Sequence, residues 1–189
     1  MSPIRHRGAL DALDWDGARA VAWRVPDDGA RHRAAAALVA YLSRQPAGAV
    51  QLHRSPAGQP RVAYPPGWFI SLSARGGQVL IGAARQPIGV DRECLDGEAP
   101  LWDMLTPAEA RALRAIPAAA WSRGWTRLWT IKEAHAKRIG EPRRIAPEAI
   151  ETQLIDAVRA TACFEGVSDC WSEDCGDAIE TIALGRTGP

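Results

Sequence analysis

The order of helix-like and strand-like segments constrains the fold of this chain more than any other sequence feature. A polar start followed by an alanine-rich apolar stretch predicts a helix over residues 29–42. Short strands are predicted at residues 50–53, 68–72, 79–83 and 88–90, with Gly76-Gly77 as a tight turn. Beyond residue 91 the pattern becomes helical and then returns to strands. This succession predicts an α+β fold with two similar halves that divide near residues 85–88.

Helix end signals are clearest in the second half of the chain. Thr106-Pro107-Ala108-Glu109 has the form of a capping box with proline at the first helical position. A second helix is predicted over residues 121–139, where Gly140 and then Pro142 end it. Strands are expected at residues 162–167 and 179–184, with a polar turn at 174–177 between them. We therefore expect an N-terminal subdomain at residues 1–86 and a C-terminal one at 87–189.

Charge and composition argue against several classes of function. The net charge is +1 and the basic residues are scattered, so no nucleic-acid groove and no general attraction to an anionic membrane is expected. The longest apolar run, residues 34–42, is too short to span a bilayer. The four cysteines lack the spacing of a disulfide framework, which favours the cytoplasm as the location.

Two acids follow the predicted strand at residues 88–90. Asp91 and Glu93 occupy alternate positions, so their side chains can converge where the strand leaves the core. Carboxylate oxygens are the hard ligands that Mg²⁺ prefers, in sites completed by water and substrate phosphate. The pair therefore indicates a magnesium site, and the alternative is an ordinary solvated loop.

The helix at residues 121–139 carries both lysines of the chain, Lys132 and Lys137, among 23 basic residues. Lysine is a compact cation whose proton affinity can be tuned, which arginine does not offer readily. Glu133 and Lys137 are four residues apart and share one helical face. The alternatives are codon bias for the lysines and a simple surface ion pair for the acid and base.

Taken together, the two stretches resemble the 4′-phosphopantetheinyl transferase superfamily. The resemblance lies in G-V-D-x-E at residues 89–93 followed by W-x-x-K-E-A-x-x-K at 129–137, and it is closer to the larger, monomeric type that activates peptide and polyketide synthases. Upstream, Gly58-Gln59-Pro60 is similar to the G-K-P turn of the family, and residues 69–73 resemble the strand that enters its S-H-S segment. The similarity extends from about residue 52 to 140.

The resemblance implies a role for each of these residues. Asp91, Glu93 and Glu133 would bind Mg²⁺ on the pyrophosphate of coenzyme A, and Glu133 would also accept the proton of the attacking serine. Lys137 would neutralise charge on the bridging oxygen, and Lys132 would be a second cation near the phosphates. The reaction would transfer 4′-phosphopantetheine to a carrier protein and release 3′,5′-ADP. The fold would be a pseudo-dimer with its active site in the cleft between the subdomains.

Two positions depart from the family pattern. Gln59 replaces the lysine of G-K-P, and Ala74 replaces the histidine that contacts a phosphate. Arg61 and Arg75 stand next to these positions and are expected to supply the missing charges to coenzyme A.

Further contacts to coenzyme A are expected from the hydroxyl of Ser73 and from Arg31 and Arg33 near the start of the first helix, with His32 between them. The alternatives are a serine that satisfies the backbone and a solvated helix end.

Two other functions stay open at this point. One is a degenerate relative that binds coenzyme A or a carrier protein with little turnover. The departures at Gln59 and Ala74 support this alternative. The other is a metal-dependent pyrophosphate hydrolase that uses the same acids. Leu101, Trp102 and Met104 could contact the carrier protein, and their alternative is core packing.

Overall fold

Eleven β-strands and three α-helices form in residues 1–186, the part of the chain that the computed structural model describes. The helices are α1 (Arg31–Ser43), α2 (Pro107–Arg114) and α3 (Trp121–Ile139). The strands are β1 (Ile4–Arg7), β2 (Val21–Pro26), β3 (Gln51–Arg54), β4 (Pro60–Tyr64), β5 (Phe69–Arg75), β6 (Gln78–Ala84), β7 (Ile88–Cys94), β8 (Glu151–Leu154), β9 (Arg159–Cys163), β10 (Val167–Asp174) and β11 (Ala178–Gly185). The fold is therefore mixed α+β, as predicted.

The first half of the chain forms a four-stranded sheet in the order β1-β2-β6-β5, with α1 packed on one face. The apolar face of α1, which includes Leu38, Val39 and Leu42, lies against Val21 and Ile81 of the sheet. Strands β3 and β4 form a separate two-stranded hairpin. The turn between β5 and β6 is made by Gly76 and Gly77, both at positive φ, a conformation that glycine adopts without a steric penalty.

The second half forms a five-stranded antiparallel sheet in the order β7-β11-β10-β9-β8, with α3 on one face. Ile131 and Ala134 of α3 pack against Ala162, Cys170 and Ala183 of this sheet. Helix α2 packs on the N-terminal part of α3 through Leu113, with its capping box formed as the sequence predicts. In each half the first long strand lies beside the last one, β2 next to β6 and β7 next to β11.

The two sheets meet along β5 and β7. The amide of Val90 donates to the Ser71 hydroxyl at 3.0 Å, and Arg92 Nε donates to the Arg75 carbonyl at 3.3 Å. Ala22, Leu80, Ile88, Val90 and Ile182 fill the apolar space between the halves. Side chains, and not a continuous ladder of backbone hydrogen bonds, join β5 to β7. Residues on these two strands therefore face each other across a seam.

Most of the predicted elements are confirmed, and one is wrong. Helices α1 and α3 and strands β3, β5, β6, β7 and β11 lie where the pattern placed them. The strand predicted at residues 162–167 is wrong, because a turn at residues 164–166 separates β9 from β10. Asp91 and Glu93 do not follow β7 but lie within it, since the strand continues to Cys94. Among residues 1–186, no helix is long and apolar enough to cross a lipid bilayer.

Candidate active site

Strand β7 and helix α3 bring Asp91 and Lys137 together at the seam. Lys137 Nζ lies 2.6 Å from Asp91 Oδ1, and Asp91 is only 1% exposed. The Ser73 hydroxyl of β5 donates to the same carboxylate oxygen at 2.9 Å and accepts from Lys137 at 3.3 Å. Three elements from the two halves therefore meet at one carboxylate.

Gly89 permits this close approach of strand and helix. A methyl group at this position would lie 1.8 Å from the carbonyl oxygen of Ala134 and 2.6 Å from the amide nitrogen of Arg138. Real side-chain carbons essentially never come within 3.0 Å of such atoms. The backbone of β7 is thus in direct contact with the backbone of α3, in the turn of helix that contains Lys137.

Glu133 and Glu93 extend the acidic group around Asp91. Burial, and next the negative charge of Asp91, raise the pKa of Glu133 to about 7. The same two causes raise the pKa of Glu93, although Arg75 opposes them with a hydrogen bond of 2.7 Å from its Nε. Glu133 makes no side-chain hydrogen bond or ion pair with any other described residue. A free carboxylate with a pKa near neutrality is suited to accept a proton.

The chemistry of the donor set fits a magnesium ion. Asp91 Oδ2 is a buried carboxylate oxygen without a hydrogen-bond partner among residues 1–186, and such an atom is costly unless something binds it. Asp91, Glu93 and Glu133 offer the oxygen ligands that Mg²⁺ prefers. As a set, however, their ligand atoms do not all lie within 4.8 Å of one another in the described chain. The three side chains would have to come closer together to share one ion.

A cavity of about 730 Å³ opens beside Lys137, and its walls are rich in cations. Arg54, His32 and Arg143 line it and were not predicted as a group, although R-H-R at residues 31–33 was noted. Arg54 Nη2 lies 2.8 Å from His32 Nε2. In the sequence, the only signal for Arg54 was its position before G-Q-P, and the only signal for Arg143 was its position after α3. The cavity suits a ligand with several negative charges.

Of the residues predicted to contact coenzyme A, some line this cavity and others do not. Arg31 and Gln59 line it, Arg31 in an ion pair with Asp27 and Gln59 with its amide donating to the Lys137 carbonyl at 2.5 Å. Arg33 lies outside it, on a shallow groove beside Trp23. Arg61 borders a smaller neighbouring cavity.

Two of the predicted phosphate contacts need correction. The prediction for Lys132 is wrong, because its ammonium is 1% exposed and lies 2.8 Å from Glu109 Oε2, where it also donates to the carbonyls of Pro147 and Ile150. Arg75 does not line the cavity either, since it pairs with Glu93 and lines a different pocket with it. Lys137 alone of the two lysines reaches the site.

A second cluster of metal-ligand type occurs away from the site. Glu173, Cys175 and Glu180 place ligand atoms within 4.8 Å of one another in the described chain. Arginines surround the two carboxylates at ion-pair distance: Arg5, Arg7, Arg24 and Arg92. Because these guanidinium groups already balance the negative charge, the cluster is an ion-pair network that joins the two sheets and not a cation site.

Comparison with known proteins points to one family. The family model described as the 4′-phosphopantetheinyl transferase superfamily matches residues 87–183, just over half of the chain. The matched segment begins at β7 and contains Asp91, Glu93, Glu133 and Lys137. No curated protein is similar enough in sequence to be compared with the chain.

Proposed function

The chain belongs to the 4′-phosphopantetheinyl transferase superfamily, and we propose on that basis that it transfers 4′-phosphopantetheine from coenzyme A to a serine of an acyl or peptidyl carrier protein, with Mg²⁺. The observation that carries this proposal is the Lys137–Asp91 pair, whose lysine also lines a cavity rich in cations. We further propose a monomer of the larger type in the cytoplasm, a pseudo-dimer of subdomains 1–86 and 87–189. Its active site would lie in the cleft between them.

The cavity would hold the nucleotide end of coenzyme A. Arg31, Arg54 and Arg143 offer positive charge along its wall, which suits the phosphates of a 3′-phosphorylated adenosine diphosphate. Gln59 lines the same wall, and the hydroxyl of Ser73 lies 3.3 Å from Nζ of Lys137, which also lines the cavity. Lys137 would then face the pyrophosphate, since it is the cation shared by the cavity and the acidic group.

The residues around Asp91 account for the chemistry. The oxygen of the acceptor serine bonds to the β-phosphorus of coenzyme A, and the bond from that phosphorus to the bridging oxygen breaks to release 3′,5′-ADP. Glu133 takes the serine proton, because it stands beside Lys137 on α3 and its carboxylate has no side-chain partner among the described residues. Lys137 stabilises the negative charge that develops on the leaving oxygen. Asp91, Glu93 and Glu133 would hold Mg²⁺, which when bound supplies further charge neutralisation on the pyrophosphate.

The direct test is mass spectrometry of an apo carrier protein incubated with coenzyme A, Mg²⁺ and this chain. We expect the carrier to gain the mass of phosphopantetheine, and Lys137→Met to lower the rate by about a hundredfold or more, as for loss of a single charge-stabilising donor. Arg111→Met is the matched control, because Arg111 is an exposed cation of α2 that lines neither the cavity nor the acidic group. Cleavage of coenzyme A without any transfer would refute the proposal in favour of a hydrolase.

Gln59 favours a second candidate, a relative that binds coenzyme A but turns over poorly. Its amide is engaged by the Lys137 carbonyl, and Ala74 offers no polar group. Calorimetric titration with coenzyme A separates the candidates when it is combined with the transfer assay. We expect Arg54→Ala to weaken binding by about tenfold to a hundredfold, the worth of one charged hydrogen bond. Binding without transfer at any carrier concentration would support the second candidate.

A further inference from the structure

A groove of about 500 Å³ lies beside Glu93 of the acidic group, and it shares no described lining residue with the cation-lined cavity. It runs from the end of β7 to the first half of α3, and Arg75 and Glu93 are among its lining residues. Its other main lining residues are Asp96, Glu98, Leu101, Trp125 and Trp129. The groove thus reaches the acidic group at Glu93, whereas the cavity reaches it at Lys137.

The groove carries negative charge, in contrast to the cavity. Asp96 and Glu98 are exposed carboxylates on its rim, and Glu93 adds a third. Of the described residues, Arg75 is the one cation that lines the groove, and it pairs with Glu93 at 2.7 Å. The two rim carboxylates therefore have no positive partner within the described part of the groove. Phosphate groups would be repelled here, which makes the groove unsuitable for the nucleotide.

An apolar surface accompanies these charges. Leu101 is 52% exposed, although its neighbours Trp102 and Met104 pack against α2 and α3. The rings of Trp125 and Trp129 lie 5.5 Å apart and form the floor on the α3 side. The packing of Trp102 and Met104 leaves Leu101 and the partly exposed ring of Trp129 as the apolar contacts open to a partner.

We propose that this groove binds the carrier protein around its acceptor serine, and that it selects a carrier with a basic side chain next to that serine. The inference rests on the proposed transfer function, because it names the partner of the same reaction. A lysine or arginine of the carrier would face Asp96 and Glu98, and an apolar residue would contact Leu101 and Trp129. Charge complementarity of this kind steers the correct partner and repels the wrong one.

The experiment uses one apo peptidyl carrier domain in two forms, with either lysine or glutamate at the exposed positions beside the acceptor serine. For the unaltered chain we expect a KM for the lysine form lower by at least about tenfold. The double variant Asp96→Lys, Glu98→Lys should reverse the order of the two carriers and leave the KM for coenzyme A unchanged. The control is Glu151→Lys, an exposed acid on β8, the strand at the opposite edge of the sheet from β7.

The possible outcomes separate the two proposals. Equal KM values for both carriers, unaffected by the double variant, would overturn the groove proposal while transfer itself stands. A change in the KM for coenzyme A instead of the carrier would assign the groove to coenzyme A and also overturn it. If neither carrier is modified under any condition, the transfer function fails and the groove proposal fails with it.

Discussion

Replacement of Gly89 by alanine tests whether the contact between β7 and α3 builds the site. The added methyl would have to move from 1.8 Å to at least 3.0 Å from the Ala134 carbonyl, so strand and helix must separate by at least 1.2 Å. Overpacking of this kind costs about 1–3 kcal/mol or more of the free energy of unfolding. A shift of about 1 Å at a reacting group lowers a rate by about a hundredfold. The Lys137–Asp91 distance of 2.6 Å would lengthen with the separation.

Two measurements follow on the same variant. Thermal unfolding should show a lower Tm, by about 2–4 °C for each kcal/mol lost in a chain of this size. Transfer to a carrier protein should fall by more than the folded fraction does, because folded molecules also have a displaced Asp91. Gly48→Ala is the control, since its methyl would meet no atom of the described residues within 4 Å and its φ is not positive. A Gly89→Ala protein with unchanged Tm and rate would refute the reasoning about this contact.

Two further predictions concern stability. Burial lowers the pKa of His135 to about 4. Between about pH 6.5 and pH 4 this histidine is therefore protonated in the unfolded chain but neutral in the folded one. The free energy of unfolding should fall by up to about 1.4 kcal/mol per pH unit over this range. Urea unfolding at pH 5 and 7.5 should show a smaller pH difference for His135→Gln, and an equal one would contradict this origin. Glu109→Ala should lower the free energy of unfolding by about 3–5 kcal/mol, because it leaves Lys132 charged and buried without its carboxylate partner. Lys132→Met should cost less in the same assay, since Glu109 keeps backbone donors from Thr106 and Thr152; a larger loss for Lys132→Met would contradict that order.

The site residues with a local pattern could be predicted from the sequence. Asp91 and Glu93 stand at alternate positions of one strand, and Glu133 and Lys137 lie one helical turn apart, so each pair was assigned to one face without knowledge of the fold. The prediction for Lys132 failed because the environment of this residue is set by Glu109, whose side chain also caps the start of α2. No local rule connects a helix cap to a lysine more than twenty residues later.

Strand β10 shows why other elements were missed. Its buried face carries Ser168, Cys170 and Ser172, so the apolar alternation that marks a strand is absent. These small polar side chains are satisfied by distant partners: Ser168 bonds to His135 of α3 at 2.8 Å, and Ser172 bonds to Thr181 of β11 at 2.9 Å. The sequence pattern of a strand whose buried face is stabilised by hydrogen bonds resembles that of a polar loop, because the hydrogen-bond partners lie on other elements.

The seam between β5 and β7 has a consequence for solubility. Both strands lie at the edge of their sheets, and an uncovered edge offers its amides and carbonyls to any other chain. Here Ser71 accepts from the Val90 amide, Arg92 donates to the Arg75 carbonyl, and the two edges shield each other from foreign strands. Moving the two halves apart to widen the site would therefore also expose two strand edges to pairing with other chains. Selection for a wider site and selection against aggregation thus act on the same few side chains.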